Sequence, residues 1–120
     1  MEKEILFGAA YYPEYMPYER VKEDIRMMKE AGMNVVRIAE STWSTLEPED
    51  GVFDFSYIDQ VIEEAGKAGM KVIIGTPTYA VPSWLCRKDP GVLVETGQGE
   101  SYYGRRQIFN LLNPTFRCHA

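Results

Sequence analysis

Histidine occurs once in the 120 residues, as His119, and cysteine twice, as Cys86 and Cys118. His119 and Cys118 are neighbours with no further ligand at metal spacing, so no zinc site is expected within the chain. One histidine cannot make a convincing Ser-His-Asp triad, and no Gly-x-Ser-x-Gly elbow occurs. "GAAYYPE" (8–14) lacks the glycine spacing of a dinucleotide turn, and nothing else in the chain asks for a cofactor. Basic residues are outnumbered, 13 to 18, for a net charge of -5, which argues against a nucleic-acid partner. No apolar run approaches the roughly 18 residues of a membrane span. The opening "MEKEILFGAA" lacks a basic stretch and a long apolar core, so it is not read as a secretory signal. A cytoplasmic location with two free thiols is the corresponding expectation.

What is present is an internal repeat. Glu30–Ile38, "EAGMNVVRI", matches Lys67–Gly75, "KAGMKVIIG", with Ala-Gly-Met recurring 37 positions on. Each copy follows an amphipathic stretch: Val21, Ile25 and Met28 in the first, and Ile58, Val61, Ile62 and Ala65 in the second, at helical spacing. Gly32 and Gly69 stand where a left-handed residue ends a helix. Each copy is therefore predicted to be helix, glycine stop, strand. A further strand, Ile5 to Ala10, precedes both. The order β, α, β, α, β with uninterrupted apolar strands predicts a parallel sheet covered on both faces. Near the other end, Asn113 as N-cap and Pro114 at the first helical position predict a new helix. The length and the 45% hydrophobic content suit one domain.

The predicted loops are unequal. Turns from helix into strand are minimal, whereas those from strand into helix run to about seven, eighteen and thirty-seven residues, against a usual 2–6. Long loops at the carboxyl ends of parallel strands are where α/β proteins place their sites. These loops carry Glu14; then Glu40 and Trp43; then Tyr79, Trp84, Tyr102, Tyr103, Arg105 and Arg106. Carboxylates and arginines that can bond hydroxyls, together with aromatic faces that can pack on a pyranose, suit a sugar site. Plainer readings stand beside this one. Trp84 is read as a core plug under a loop, and Arg37 as a buried structural partner for a carboxylate. Glu47 and Asp50 are read as exposed turn residues in "EPEDG". For Glu40 both readings stay open.

"AAYYPEYMP", "VRIAESTWSTLEPEDGVFDFSYID" and "GTPTYAVPSWL" resemble, in order, the N-terminal part of the glycoside hydrolase family 42 β-galactosidases. The resemblance implies a (β/α)₈ TIM barrel of which residues 1–120 supply about the first three βα units of the catalytic domain. It implies retaining, two-carboxylate hydrolysis of terminal β-D-galactosides and assembly as a homo-oligomer, often a trimer. It aligns Arg106 with the family's active-site arginine, with Arg105 as the neighbour one residue away. Glu40 matches the family's second-strand Glu, which gives it a supporting role in substrate binding, with Trp43 beside it. Asn110 stands where many members carry a zinc-ligand Cys, so no metal is expected. The family's acid/base follows an Asn on the fourth strand and its nucleophile ends the seventh. Neither is expected within this chain, which should be inactive alone.

Two further readings remain. One is another retaining TIM-barrel glycosidase of the same clan, acting on a different sugar. The other is a non-catalytic βαβαβ ligand-binding module, against which three parallel strands with open edges argue.

Overall fold

The computed structural model describes residues 4–95, 97, 99, 103, 104 and 109–120. They divide into two compact units, Met1–Ala39 with Phe55–Gly75, and Glu40–Asp54 with Thr76–Ala120.

The first unit holds the predicted βαβαβ. Strands β1 (Gly8–Ala10), β2 (Val35–Ile38) and β3 (Lys71–Ile74) form a parallel sheet in the order β1-β2-β3. Ala10 pairs with Arg37, and Arg37 with Ile73. Helices α1 (Val21–Glu30) and α3 (Ser56–Lys67) cross between the strands and pack on each other. They bury Val21 and Ile25 from α1 and Tyr57, Ile58, Val61 and Ala65 from α3. From the sheet, Val36 and Ile38 are buried on the same side of β2. Both helices end in the same six-residue closure. Gly32 N donates to Lys29 O and Met33 N to Met28 O; Gly69 N donates to Gly66 O and Met70 N to Ala65 O. Both glycines have positive φ, +86° and +64°, the left-handed conformation that this C-cap requires.

Three expectations need correction here. The strands are not covered on both faces: Lys71, Ile73 and Ile74 of β3 and all of β1 are exposed. On β2, Val36 and Ile38 are buried on one side, while on the other Val35 is buried and Arg37 exposed. Arg37 is therefore exposed rather than buried. The first strand also begins at Gly8, not Ile5. Ile5–Phe7 are exposed and held instead by Asn34, whose Oδ1 accepts from Phe7 N (2.8 Å) and whose Nδ2 donates to Ile5 O (2.9 Å). Gly8 has no room for a side chain, since a Cβ there would lie 1.7 Å from the Val35 carbonyl oxygen.

The second unit contains helices α2 (Trp43–Leu46), α4 (Ser83–Lys88) and α5 (Pro114–His119), with a 3₁₀ turn at Pro90–Val92. Its core is Trp43, Val81, Leu85, Val92 and Phe116, with Trp84, Cys86, Leu93 and Phe109 packed against it. The helix at Asn113 starts as predicted: Asn113 Oδ1 accepts from Phe116 N (2.8 Å), with Pro114 at the first position. Helices α2 and α4 fall inside the stretches expected to be loop, because four and six residues are too few to display a period.

Candidate functional site

In the first unit, β1 leads into Tyr11, Tyr12 and a 3₁₀ turn, Pro13–Tyr15. Tyr11 is buried and its hydroxyl donates to Asp24 Oδ2 (2.9 Å), while Arg20 Nη2 holds Asp24 Oδ1 (2.9 Å). Burial, and then the Asp24 carboxylate, push the Tyr11 hydroxyl above its ordinary range. Glu14 has neither kind of support. Both its carboxyl oxygens are buried without a hydrogen-bond partner, and burial pushes its carboxyl group up. At the end of β2, Ala39 takes φ +76° while almost fully buried. That is a costly conformation for a residue with a side chain.

The second unit opens with Glu40, which is half-buried. Ser41 Oγ shares a hydrogen bond with the Tyr79 hydroxyl. Trp43 is only 4% exposed, and its ring meets Phe116 edge-on at 6.1 Å. Its indole N–H donates to Glu47 Oε2 (2.7 Å), Gly51 N donates to Glu47 Oε1 (2.9 Å), and Trp84 Nε1 donates to the Glu47 carbonyl (2.8 Å). Glu47 is thus a buried hub, 5% exposed, and not the exposed turn residue expected. Two charge-accepting bonds and a closed turn satisfy the carboxylate that turn chemistry alone would leave in water. The overlooked signal is Trp43 and Glu47 four positions apart, on one side of a helical turn. Trp84 packs against the core cluster, as expected of a core plug.

Asp50 is exposed, as expected, and accepts from Lys88 Nζ at 2.5 Å. This hydrogen bond holds its carboxyl group below the usual range. His119 Nδ1 lies 2.8 Å from Thr115 O and its Nε2 lies 3.2 Å from Lys88 Nζ. A carbonyl only accepts, so Nδ1 carries a proton; Nε2 also lies 3.4 Å from Asp50 Oδ1. Asn110 spends its Oδ1 on Leu112 N (3.0 Å) and its backbone N–H on Val92 O (2.7 Å). Among the described residues, no three His, Cys, Asp or Glu side chains gather as metal ligands. Arg105, Arg106 and Tyr102 lie outside the described residues; Tyr103 is described and exposed.

These placements separate the loop carboxylates by use. Glu47 is consumed by the core and Asp50 by an ion pair. Glu14 and Glu40 are the ones that stand just past the ends of β1 and β2.

The comparisons with known proteins agree along nearly the whole chain. The family model of glycoside hydrolase family 42, described as beta-galactosidase, matches residues 10–120. A beta-galactosidase of Thermus thermophilus is 40% identical over 116 residues, covering 96% of this chain and 18% of its own length. The solved beta-galactosidase of Halorubrum lacusprofundi superposes with a TM-score of 0.87 at 36% identity, over 94% of this chain and 17% of that one. That of Bacillus circulans gives 0.88 at 30% identity, over 95% and 17%. The chain thus spans about a sixth of the length of these relatives. Its parallel sheet and crossover helices match the N-terminal part of their TIM barrels. The chain belongs to glycoside hydrolase family 42.

Proposed function

We propose that the protein carrying this chain hydrolyses terminal non-reducing β-D-galactose from β-D-galactosides with retention of configuration. The observation that carries the reading is the match over 94–96% of the chain to proteins whose names are beta-galactosidase. Retention requires two carboxyl groups about 5–5.5 Å apart, one as acid/base and one as nucleophile. Glu47 is fully engaged with Trp43 and Gly51, and a carboxylate so occupied is unsuited to either task. By family resemblance both catalytic glutamates belong to later strands of the barrel, and residues 1–120 to the N-terminal part of its catalytic domain.

In this reading Arg106 binds substrate and Glu40 orients Arg106 or the ligand. Trp43 supports the rim by packing, since its ring is enclosed and its N–H already bonded. Asn110 replaces a zinc ligand with a turn-forming amide. The protein assembles as a homo-oligomer, a trimer by family resemblance, and works in the cytoplasm. No described helix is long and apolar enough to cross a membrane.

The test is to express the full-length protein and follow cleavage of aryl β-D-galactoside, β-D-glucoside and β-D-fucoside by proton NMR. Preferred release of galactose, appearing first as the β-anomer, is the expected result. First appearance of the α-anomer would overturn retention, and a clear preference for another sugar would move the protein to a different specificity on the same barrel.

A further inference from the structure

Glu14 is the one carboxylate in the described residues whose two oxygens are both buried and both without a hydrogen-bond partner. A buried ionised carboxylate costs several kcal/mol unless it is paired. Among the described residues no cation compensates: burial is the main cause acting on Glu14, opposed only by its own backbone N–H, which makes no hydrogen bond of good geometry to either oxygen. The charged and titratable groups around the turn are committed elsewhere. Arg20 pairs with Asp24 on α1, and Tyr11 donates to the same Asp24. The turn that holds Glu14 is short, with buried Pro13 and a Tyr12–Tyr15 ring contact at 5.9 Å as its side-chain anchors. It has a single 3₁₀ turn, closed by Tyr15 N to Tyr12 O and Met16 N to Pro13 O, and no side-chain cap. Tyr15 and Met16 on its far side are largely exposed.

We propose that the Pro13–Tyr15 turn is a pH-sensitive latch at the carboxyl end of β1: with its carboxyl group neutral Glu14 stays buried in the turn, and when ionised it leaves for solvent and loosens the turn. The driving force is the difference in solvation between the two positions. Outside, the carboxyl group ionises at its ordinary value near 4.5; inside, burial delays ionisation. Between those two points each pH unit makes the open form tenfold more populated, and above the buried group's own ionisation point the population levels off. The latch is independent of which sugar the protein cleaves, since it needs only the β1 turn.

Hydrogen exchange read by mass spectrometry on the full-length protein tests this, on the peptide spanning residues 11–20. After correction for the intrinsic pH dependence of exchange, protection should fall about tenfold per pH unit above pH 4.5 and then plateau. Glu14→Gln, which keeps the shape and cannot ionise, should hold the low-pH protection throughout, while a control peptide from α3 stays unchanged in both proteins. Flat protection of the 11–20 peptide in the wild-type protein between pH 4 and 8 would overturn the latch. So would a Glu14→Gln variant that loses protection along the same curve. If that variant does not fold, the wild-type profile alone decides. Activity of the same preparation on β-galactosides is a separate readout, so failure of the latch and failure of the proposed function are distinguishable.

Discussion

In the βαβαβ unit the buried side chains recur at helical spacing, Val21 and Ile25 on one helix and Ile58, Val61 and Ala65 on the other. In the second unit the core residues come from separated segments, with Trp43 from one, Val81 and Leu85 from another, then Val92 and Phe116. The first kind of core is secured by repetition along short elements. The second has little regular structure to rely on, and polar side chains hold its loops: Glu47 between Trp43 and Gly51, and Asp89 between Gly91 and Asn113. The contrast predicts different failures. The βαβαβ unit should be broken by backbone and glycine changes, and the other by loss of a single polar side chain.

The largest effect is expected from Gly8→Ala. A methyl group 1.7 Å from the Val35 carbonyl oxygen cannot be accommodated while Gly8 stays paired with Val35. The obstacle is backbone, which cannot rotate away, so the β1–β2 pairing must separate. Destabilisation above about 4 kcal/mol is expected, in the range that marks exceptional single substitutions. The measurement is the yield of soluble full-length protein together with its thermal midpoint; a variant that melts within a few degrees of wild type would show that β1 is not held against β2 as described.

Next comes Glu47→Leu. It strands the Trp43 indole N–H and the Gly51 N–H, both of which the carboxylate now accepts. Leaving the buried Trp43 donor unpaired costs about 1–3 kcal/mol, whereas Gly51 is exposed and its N–H can turn to water, so a total of about 1–3 kcal/mol is expected. Glu47→Gln keeps one acceptor oxygen and should recover part of this. Denaturant midpoints of the two variants check the order. Equal losses would mean that shape rather than hydrogen bonding matters at this position.

Acid should act with opposite sign on Asp89 and Asp50 of the second unit and on Glu14 of the first. Hydrogen bonds from Asn113, Thr115 and Gly91 hold the Asp89 carboxyl group below its ordinary 3.8, and the bond from Lys88 does the same for Asp50. A lowered carboxylate contributes stability above its ordinary value and loses it as pH falls through the folded one. Glu14 is raised, so its contribution is complete below 4.5 and disappears as pH climbs through its folded value. Both tryptophans, Trp43 and Trp84, lie in the second unit. Indole fluorescence of the 120-residue chain therefore reports on that unit, and it should change below about pH 4. Asp89→Asn should flatten the part of this change that Asp89 contributes; an unaltered acid profile in that variant would assign the transition to other groups.

How far the sequence revealed all this depended on whether the deciding interaction was local. The helix stops at Gly32 and Gly69 and the cap at Asn113 involve residues within a turn of one another, and they were legible. The burial of Glu47 and the exposure of Arg37 depend on neighbours that composition does not name. Glu47 closes on an indole N–H and a turn amide, while Arg37 stands on the side of β2 away from the buried Val36 and Ile38. Ile5–Phe7 carry a strand's apolar pattern, yet Asn34 binds them outside the ladder. For the candidate site, motif order was enough to place the chain in its family. The use each loop residue makes of its side chain was not visible there, because Trp43 packs and bonds through contacts made in the folded unit.

The smallest effect tests the repeat itself. Gly32 and Gly69 occupy equivalent positions in two copies of one motif, both at positive φ and both with open space where a Cβ would stand. Alanine at either site meets no steric neighbour, so its cost is conformational alone, about 1 kcal/mol for a left-handed residue with a side chain. Both closures use the same pair of hydrogen bonds, to Lys29 and Met28 in one copy and to Gly66 and Ala65 in the other. Each glycine itself stands in open space at positive φ, and Gly32→Ala and Gly69→Ala should therefore lower stability by equal amounts. Asparagine at either site should cost less than alanine, because Asn tolerates this region better. Thermal midpoints of the single variants and the double variant provide the check. If one glycine proves several times more costly to replace than the other, the two helix ends differ in a way that their shared sequence and geometry conceal, and the repeat is one of pattern without equal energetics.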